Sequence, residues 1–455
     1  MPSANFSFPR SAPVSPIPLF AILLPSMEYL KKAPPTSADD RLEIQKTVSM
    51  ILAEIERDGT DAIRRYSAKF DGWDPPSFRV SPAQISEAEE RLDPKLRAQI
   101  EFSRLQVERF ARLQRASLID FQAETLPGVT LGQKQIPVNS VGSYVPGGNY
   151  PLIASALMTI VVPKVAGVPR VVAAAPPQKG ATTMNQVQLL AMARSGADEI
   201  FILGGVQALA ALAFGLEDSP PLDPVDMIVG PGNAYVAEAK RQLYGRVGID
   251  IQAGPTEILV LADSSADPRL VAADLLGQAE HGPTSPAIAV TDSRELGLAI
   301  LDAVESLLKR WPTAAVAGAA WRNRGEVIVC ADPDEMVRVA DQIASEHVEV
   351  QTTDPKWFLR KLTNYGSLFL GANATVVYGD KGIGTNHVLP TGRAARYTGG
   401  LWVGKFLKTV TWQVVTDAGN AEVAPTMAAI AEAENMKGHA LTAQMRIDKE
   451  SIDTN

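Results

Sequence analysis

Gln278 and His281 lie three residues apart in the segment DLLGQAEHGP, which is predicted to be helical. Residues at this spacing share one face of a helix, so an amide oxygen and an imidazole nitrogen there can occupy two positions around a divalent metal. The chain has only four histidines, and each lies beside a carboxylate, an amide or a glycine-bounded turn. This setting favours a chemical role for them over burial in the core.

Asp380 and His439 are the candidates for the remaining positions of that metal site. Asp380 follows the apolar stretch TVVY, so we expect it at the end of a strand over residues 375–378. His439 lies in an alanine-rich tail, residues 426–445, which is predicted to be helical. Zinc accepts mixed oxygen and nitrogen ligands of this kind. The sequence alone does not bring the four residues together, so the site is a hypothesis at this point.

Glu346 and His347 form a second polar motif, SEHVEV. Neighbouring residues point in different directions, so an adjacent acid and imidazole suit general acid and base catalysis better than shared ligation of a metal. The alternative is a polar strand end with no chemical role.

Basic residues are concentrated in residues 379–408 of a chain whose formal net charge is −8. Such a run is either a solvated surface or a pocket for an anionic group. The surrounding glycines and the sequence TNHVLPT favour a structured loop, and hence the pocket. Against the single acid Asp380, this segment holds Lys381, Arg393, Arg396, Lys405 and Lys408.

The elements that would position these residues alternate between short β-branched stretches and helical ones, which indicates an α/β fold with parallel sheets. Residues 37–110 have helical periodicity and are interpreted as scaffold. One series of strands is predicted at 170–176, 199–205 and 226–232, and another at 257–262, 287–291, 326–331, 348–352, 367–371 and 375–378. Two series suggest two α/β domains that face each other.

Three glycine-containing loops, PGGN at 146–149, GGVQ at 204–207 and GPGN at 230–233, lie in the first series. Ligands bind at the carboxyl ends of such strands, and the helix amino termini that follow attract phosphate. None of the loops is a GxGxxG fingerprint. A nucleotide site and tight turns required by packing therefore remain alternatives.

Composition limits the classes of protein to consider. A chain of 455 residues can form two sizeable domains, and its negative charge argues against a nucleic-acid partner. No apolar run is long enough for a membrane helix. The single cysteine, Cys330 in EVIVCAD, fits a reducing compartment such as the cytoplasm and is expected in a buried strand. Residues 1–26 are predicted to be a disordered extension, with Met27 as an alternative start.

Several long motifs in order resemble the histidinol dehydrogenase family over nearly the whole chain after Met27. They are GPGNAYVAEAKRQLYGRVGIDIQAGPTEILVLAD, QAEHG, SEHVEV, GSLFLG and GTNHVLPT. The resemblance implies oxidation of a primary alcohol through an aldehyde to a carboxylate, with zinc and two NAD used in succession. It also implies two incomplete Rossmann-like domains, of the aldehyde-dehydrogenase-like kind, with small amino- and carboxyl-terminal elements.

The resemblance also implies a division of the chain and a homodimer with shared active sites. Residues 27–119 with 256–392 would form a first domain that carries most of the metal site, and 120–255 a second that binds NAD. The helical segment 393–455 would complete the partner's site.

Residue by residue, the resemblance assigns zinc to Gln278, His281, Asp380 and His439. His347 would take the alcohol proton, and Glu346 would activate the water that attacks the aldehyde. Tyr144, Gln207 and Asn233 match positions that contact NAD. Thr256, where the family usually has serine, matches a substrate contact together with His387 and Glu434, and the substrate would also meet Gln278, His281, His347, Asp380 and His439. Glu434 and His439 would come from the other subunit.

The segment GRAARYTGGLWVGKFLKTVTWQ departs from the usual histidinol version and resembles the branch typified by sulfopropanediol 3-dehydrogenase. An anionic sulfonate would be recognised by cations such as Lys381, Arg393 or Arg396, whereas the cationic amine of histidinol would not. We therefore expect a small anionic diol such as 2,3-dihydroxypropane-1-sulfonate, with L-histidinol as the alternative. A zinc hydrolase and a non-catalytic binding protein are further alternatives.

Overall fold

The computed structural model of the chain describes residues 27–34, 39–147, 150–181, 183–251 and 254–448. The predicted extension over 1–26 and two residues of the first glycine loop, Gly148 and Asn149, lie outside the described residues. Within the described ranges, no helix has the length and apolar character needed to cross a membrane.

The elements follow one another in three groups along the chain. The first group comprises β1 (Glu28–Lys31), α1 (Asp39–Asp58), α2 (Thr60–Asp71), α3 (Pro82–Arg91), α4 (Pro94–Ala116), β2 (Phe121–Leu126) and β3 (Val129–Pro137). The second comprises β4 (Ser140–Tyr144), α5 (Ile153–Ala166), β5 (Arg170–Ala175), α6 (Gln186–Arg194), β6 (Glu199–Ile202), α7 (Gly205–Phe214), β7 (Met227–Val229), α8 (Ala234–Leu243) and β8 (Gly248–Ile249). The third comprises β9 (Ile258–Ala262), α9 (Pro268–Ala279), β10 (Ala287–Thr291), α10 (Arg294–Leu308), α11 (Ala314–Arg324), β11 (Gly325–Val329), α12 (Pro333–Ile343), β12 (His347–Gln351), α13 (Pro355–Lys361), β13 (Ser367–Leu370), α14 (Val376–Lys381), β14 (Leu407–Val415), α15 (Asp417–Ala433) and α16 (Lys437–Ile447).

The second group forms a five-stranded parallel sheet in the order β6-β5-β4-β7-β8. Along β5, Val171 and Ala173 enter one hydrophobic core, and Val172 and Ala174 enter the other. A sheet that is covered on both faces needs apolar residues at every strand position, which explains the continuous run RVVAAA. In chain order the strands read 3-2-1-4-5, so the topological switch point lies between β4 and β7.

The third group repeats this order in a six-stranded sheet, β1-β11-β10-β9-β12-β13. β9 to β13 are parallel, and β1 is added antiparallel at one edge. Ile258 and Val260 of β9 pack on one side of the sheet, and Leu259 and Leu261 pack on the other. The switch point of this sheet lies between β9 and β12. The predicted α/β class with two incomplete Rossmann-like sheets is confirmed.

Helices α1 to α4 cover the five-stranded sheet. α1 and α2 share a hydrophobic core with α7 and α8, and α3 and α4 share another with α5 and α6. The domain division remains a proposal, and this packing favours assigning residues 39–116 to the unit of the five-stranded sheet.

A third, three-stranded antiparallel sheet joins the carboxyl-terminal segment to the middle of the chain. β14 pairs with β3 from Leu407↔Pro137 to Val415↔Val129. The tail beyond it is helical, as predicted, but it forms two helices. Asn435, with φ +60°, lies in the break between them.

Two local predictions were wrong. Residues 376–381 form the short helix α14 instead of a strand, because the sheet ends at β13 and the Val376 N–H donates to the Glu349 carboxylate, 2.9 Å away. Asp380 therefore lies in a helix. α9 ends at Ala279, so His281 occupies the turn that follows, although its N–H still donates to the Gln278 carbonyl at 3.3 Å.

Candidate active site

The predicted acid and base pair lies at the amino end of β12. Glu346 precedes the strand and His347 is its first residue, paired in register with Ile258 of β9. This pairing places Thr256 and Glu257, the residues before β9, beside Glu346 and His347. The residues that could perform chemistry are thus collected at the amino ends of β9 and β12, the two strands that flank the switch point of the six-stranded sheet.

A chain of hydrogen bonds fixes the Glu346 carboxylate. Its Oε1 accepts from the Glu257 N–H at 2.9 Å and from the Thr256 hydroxyl. The Thr256 oxygen accepts in turn from the side-chain amide of Gln278. Gln278 and Glu346 are both buried. The Gln278 N–H is therefore used inside the protein, while its carbonyl oxygen remains free to bind a ligand.

His347 is buried, and its Nδ1 lies 3.0 Å from the Glu257 carbonyl oxygen. Because a carbonyl only accepts, Nδ1 carries a proton, and a neutral ring then has its lone pair on Nε2. That Nε2 has no hydrogen-bond partner and lies 3.5 Å from Asp380 Oδ1. Burial lowers the pKa of His347, but the negative charges of Glu346 and Asp380 outweigh it and raise the pKa well above its ordinary value.

Asp380 and His281 are both near enough to this imidazole to interact with it electrostatically. Burial would raise the pKa of the Asp380 carboxyl, but the protonated imidazole of His347, whose Nε2 lies 3.5 Å away, holds it well below the ordinary value. His281 is reached by solvent, yet partial desolvation by the surrounding protein lowers its pKa against the opposing charge of Asp380. His281 is therefore neutral near pH 7, as a metal ligand must be.

Gln278, His281 and Asp380 offer an amide oxygen, an imidazole and a carboxylate, a donor set that fits zinc with one ligand missing. In the same region, the buried Nε2 of His347 has no hydrogen-bond partner within the described residues of the single chain. Among the described residues of one chain, no three His, Cys, Asp or Glu side chains are close enough to hold a metal ion.

Glu434 and His439 are not brought to this site within one chain. Glu434 follows α15, His439 lies on α16, and both side chains are exposed. α16 packs chiefly on α15. Their predicted contribution to a second subunit is therefore compatible with their position and remains a prediction.

His387 connects the site to the unit of the five-stranded sheet. Its Nδ1 lies 3.0 Å from the Asp380 carbonyl oxygen, and its Nε2 lies 2.8 Å from the Ser155 hydroxyl oxygen in α5. Burial lowers the pKa of His387 despite the charge of Asp380. Ser155 was not predicted, because nothing in the apolar sequence of α5 marks it. Because α5 follows β4, this contact joins the carboxyl edge of the five-stranded sheet to the amino edge of the six-stranded sheet.

Of the predicted cations, Lys381 lies beside the site. Its charge lowers the pKa of Asp380, His281 and His387. Its side chain is exposed at the end of α14. The other four show no contact with these residues: Arg393, Arg396 and Lys408 are exposed, and the half-buried Lys405 donates to the Thr398 hydroxyl at 2.9 Å.

The predicted NAD contacts surround the carboxyl ends of β4, β6 and β7. The Tyr144 hydroxyl accepts from the Gly205 N–H at 3.1 Å, and the Gln207 amide donates to Asp71 at 2.9 Å. Both side chains are buried, so they support the glycine loops. Asn233 is exposed and caps α8, because its oxygen accepts from two backbone N–H groups at 3.0 and 3.1 Å. Tyr144 and Asn233 follow β4 and β7, the strands on either side of the switch point where dinucleotides bind in this strand order, and Gln207 lies farther along the same edge, after β6.

A buried ion pair that the sequence did not suggest holds the third glycine loop. Lys240 of α8 pairs with Asp250, and the two side chains are almost completely buried. Lys240 donates to the Gly230 carbonyl at 2.9 Å, and Asp250 accepts from the Gly230 N–H at 2.8 Å. Gly230 has φ +122°, and a Cβ there would collide with the Tyr144 carbonyl. A lysine on the buried face of α8 is the only signal that could have indicated this pair.

The chain matches a protein-family model described as "Histidinol dehydrogenase" over residues 35–447. It is 50% identical over 424 residues to a histidinol dehydrogenase homolog of Shouchella clausii. The aligned region covers 93% of this chain and 99% of that protein. It is 48% identical to the sulfopropanediol 3-dehydrogenase of Ruegeria pomeroyi over 93% of this chain and 97% of that protein.

Among solved structures, the histidinol dehydrogenase of Elizabethkingia anophelis superimposes with a TM-score of 0.85 at 32% identity, over 92% of this chain and 95% of that one. Sequence and fold thus agree over nearly the whole described chain. The chain belongs to the histidinol dehydrogenase family, whose members are NAD-dependent dehydrogenases that bind zinc.

Proposed function

We propose that this protein oxidises a small primary alcohol through an aldehyde to a carboxylate, with zinc bound and two NAD reduced in succession. The observation that carries the proposal is the buried pair Glu346 and His347, in which a fixed carboxylate lies beside an imidazole whose Nε2 is unpartnered. Such a double oxidation needs one group that accepts the alcohol proton and a second group that accepts a proton from the attacking water. Overall, one alcohol, one water and two NAD would yield one carboxylate, two NADH and three protons.

The roles follow from the hydrogen bonds. His347, oriented by the Glu257 carbonyl, would accept the alcohol proton at Nε2 once bound zinc offsets the charge of Asp380 that helps to raise its pKa. Glu346, held by Thr256 and the Glu257 N–H, would take a proton from the water that adds to the aldehyde carbon. Zinc, when bound by Gln278, His281, Asp380 and the partner subunit's His439, would polarise the substrate oxygen. Tyr144, Gln207 and Asn233 would shape the NAD crevice.

An anionic substrate is favoured by Lys381. Its ammonium group lies beside Asp380 and His281, where a sulfonate or carboxylate of a short diol would meet it. Identity of 48% to a protein named sulfopropanediol 3-dehydrogenase supports 2,3-dihydroxypropane-1-sulfonate as the substrate. Arg393 is a weaker candidate contact, since it is exposed in the loop after His387. L-Histidinol is the alternative, which the family name supports.

The first test measures NADH formation by the zinc-loaded protein with each of these two alcohols. We expect turnover of the sulfonate, a KM that rises in Lys381→Tyr, and no turnover in Glu346→Gln or His347→Asn while both variants remain folded and bind NAD. Turnover of histidinol alone would reverse the order of the candidates. Hydrolysis of an ester or amide without NAD binding would indicate a zinc hydrolase, and unchanged behaviour of both variants would indicate a binding protein.

A shared site can be tested by mixing two inactive variants. Glu346→Gln removes a group that the chain keeps for itself, and His439→Asn removes one that it would lend to its partner. We expect activity to reappear when the two variants are unfolded together and refolded, because a mixed dimer contains one intact site. Two samples refolded separately and then assayed together at once serve as the control. No recovery in the mixed dimer would contradict the shared site.

A further inference from the structure

Two acidic side chains lie against each other inside the protein, apart from the groups assigned above. Glu349 of β12 is fully buried, and its carboxyl group lies close to that of Asp274 of α9, because one side-chain amide, that of Gln351, donates to Glu349 at 3.2 Å and to Asp274 at 2.8 Å. Two buried carboxyl groups this close can bond to each other only when a proton lies between them. Burial, followed by the charge of Asp274, raises the pKa of Glu349 to about 9. The pair therefore holds a proton near pH 7.

The remaining oxygens of the pair hold the start of α14. Oε1 of Glu349 accepts from the Val376 N–H at 2.9 Å, and Oδ1 of Asp274 accepts from the Thr375 hydroxyl at 3.0 Å. Thr375 is the cap residue of α14, but its own side chain does not cap the helix. The first N–H groups of a helix need acceptors from outside it. The acid pair supplies an acceptor that this six-residue helix lacks in its own sequence.

A fourth side chain closes the cluster. The Gln351 amide donates to Asp274 Oδ2 at 2.8 Å and to Glu349 Oε2 at 3.2 Å. Of the three groups named here that contact Glu349, which are Asp274, Gln351 and the Val376 N–H, only Asp274 has a titratable side chain. In this network one shared proton replaces the repulsion of two buried charges, while the side-chain oxygen of Gln351 has no hydrogen-bond partner among the described residues.

The three elements joined by this network carry the candidate active site. Gln278 lies one turn after Asp274 on α9, and Asp380 lies one turn after Val376 on α14. His347 lies two residues before Glu349 on β12, so the two side chains point to the same face of the strand. The pair is thus linked through α14 to the Asp380 carboxylate, whose Oδ1 lies 3.5 Å from His347 Nε2.

We propose that Asp274 and Glu349 form a proton-sharing latch that positions Asp380 and Gln278 beside His347. Both acids are positioning residues, since neither contacts the reacting groups. Loss of the latch is expected to loosen α14 and to weaken metal binding, because partners that orient metal ligands typically contribute about 10- to 100-fold to metal affinity. That second consequence depends on the proposed function, in which Asp380 binds zinc; the effect on α14 does not.

The test compares Glu349→Leu with Glu349→Gln. Leucine fills the space but removes the acceptor for Val376, whereas a glutamine oxygen still accepts from that N–H and its amide donates to Asp274. Two readouts are needed: hydrogen-exchange protection of the amides in Val376–Lys381, and zinc affinity by competition with a chelator. Glu335→Leu is the control, because Glu335 is also buried but lies on α12, at the other face of the sheet.

We expect Glu349→Leu to lower protection in α14 and zinc affinity by about tenfold or more, with NAD affinity unchanged. Glu349→Gln should keep both within about threefold of the native protein. Between pH 8 and pH 10, the protection factor of α14 should fall in the native protein as Glu349 loses its proton, and not in Glu349→Gln. Unchanged protection in Glu349→Leu, or equal loss in both variants or in Glu335→Leu, would overturn the proposal. If the native protein bound no zinc, the proposed function would fail, while the protection data would still decide the latch.

Discussion

Replacement of Asp250 by asparagine should destabilise the protein strongly, because it leaves the Lys240 ammonium group buried without its counter-charge. Both side chains are almost completely excluded from solvent. Asp250 also accepts from the N–H groups of Gly230 at 2.8 Å and Ile251 at 2.7 Å, and an asparagine can serve these with one oxygen only. Removal of one partner of a buried ion pair costs about 3–5 kcal/mol. We expect a decrease of that size in the free energy of unfolding.

The double variant Lys240→Met with Asp250→Asn should be more stable than Asp250→Asn alone, because no buried charge is left unpaired. Both variants should bind NAD more weakly than the native protein, since each weakens the acceptor for the Gly230 N–H and the double variant also removes the donor to the Gly230 carbonyl. The free energies come from urea unfolding followed by tryptophan fluorescence, and the NAD affinities from calorimetric titration.

An exposed ion pair provides the control for this series. Arg246 and Glu56 are 2.9 Å apart with side chains more than half exposed, so Glu56→Gln should cost less than about 1 kcal/mol. If Asp250→Asn costs no more than Glu56→Gln and NAD binds with native affinity, the buried pair does not hold the Gly230 loop and the reasoning is refuted.

Three further predictions concern single residues. Gly230→Ala should abolish folding or NAD binding, because φ +122° and the Tyr144 carbonyl leave no place for a Cβ; a variant with native NAD affinity would contradict this. Burial, followed by the charge of Glu346, raises the pKa of Glu257 from 4.5 to about 8, so the stability that its protonated form contributes is lost as pH rises between these values. Glu257→Gln should therefore gain stability relative to the native protein from pH 5 to pH 8 in urea unfolding, and a constant difference would count against the raised pKa. The buried thiol of Cys330, whose pKa burial raises to about 12, should react with a thiol reagent only in denaturant, and rapid labelling of the native protein would show that the site opens.

The sequence was most informative where periodicity and burial coincide. The strands from β5 to β7 and from β9 to β13 were located to within a few residues, because strands covered on both faces must be apolar at every position, whereas β1, β4 and β8 were not predicted. The order of the motifs identified the family. The structure places Glu346 and His347 beside Thr256, which agrees with the prediction that these three residues belong to one site. The strand predicted at 375–378 is wrong, since TVVY favours a strand but the sheet ends at β13 and the Glu349 carboxyl, from elsewhere in the chain, accepts from the first N–H of a helix there.

Contacts between distant residues were beyond the sequence. Ser155 beside His387, Lys240 beside Asp250 and Asp274 beside Glu349 join residues from 10 to 232 positions apart. Each depends on how the sheets and helices pack, and the residues carry no local pattern that marks them. Local spacing also suggested that Gln278 and His281 share a helical face, whereas the turn after α9 determines where His281 lies.

The polarity of the six-stranded sheet offers a practical place to modify the protein. Its amino edge carries the candidate active site, so the opposite edge lies a strand of five residues, about 17 Å, away. Asp334, at the start of α12 on that far edge, has a side chain that is 64% exposed. Because the native thiol is buried, Asp334→Cys would provide one accessible attachment point for a fluorophore or a solid support. The protein could then be immobilised or labelled with its NAD crevice and acid and base pair facing away from the attachment.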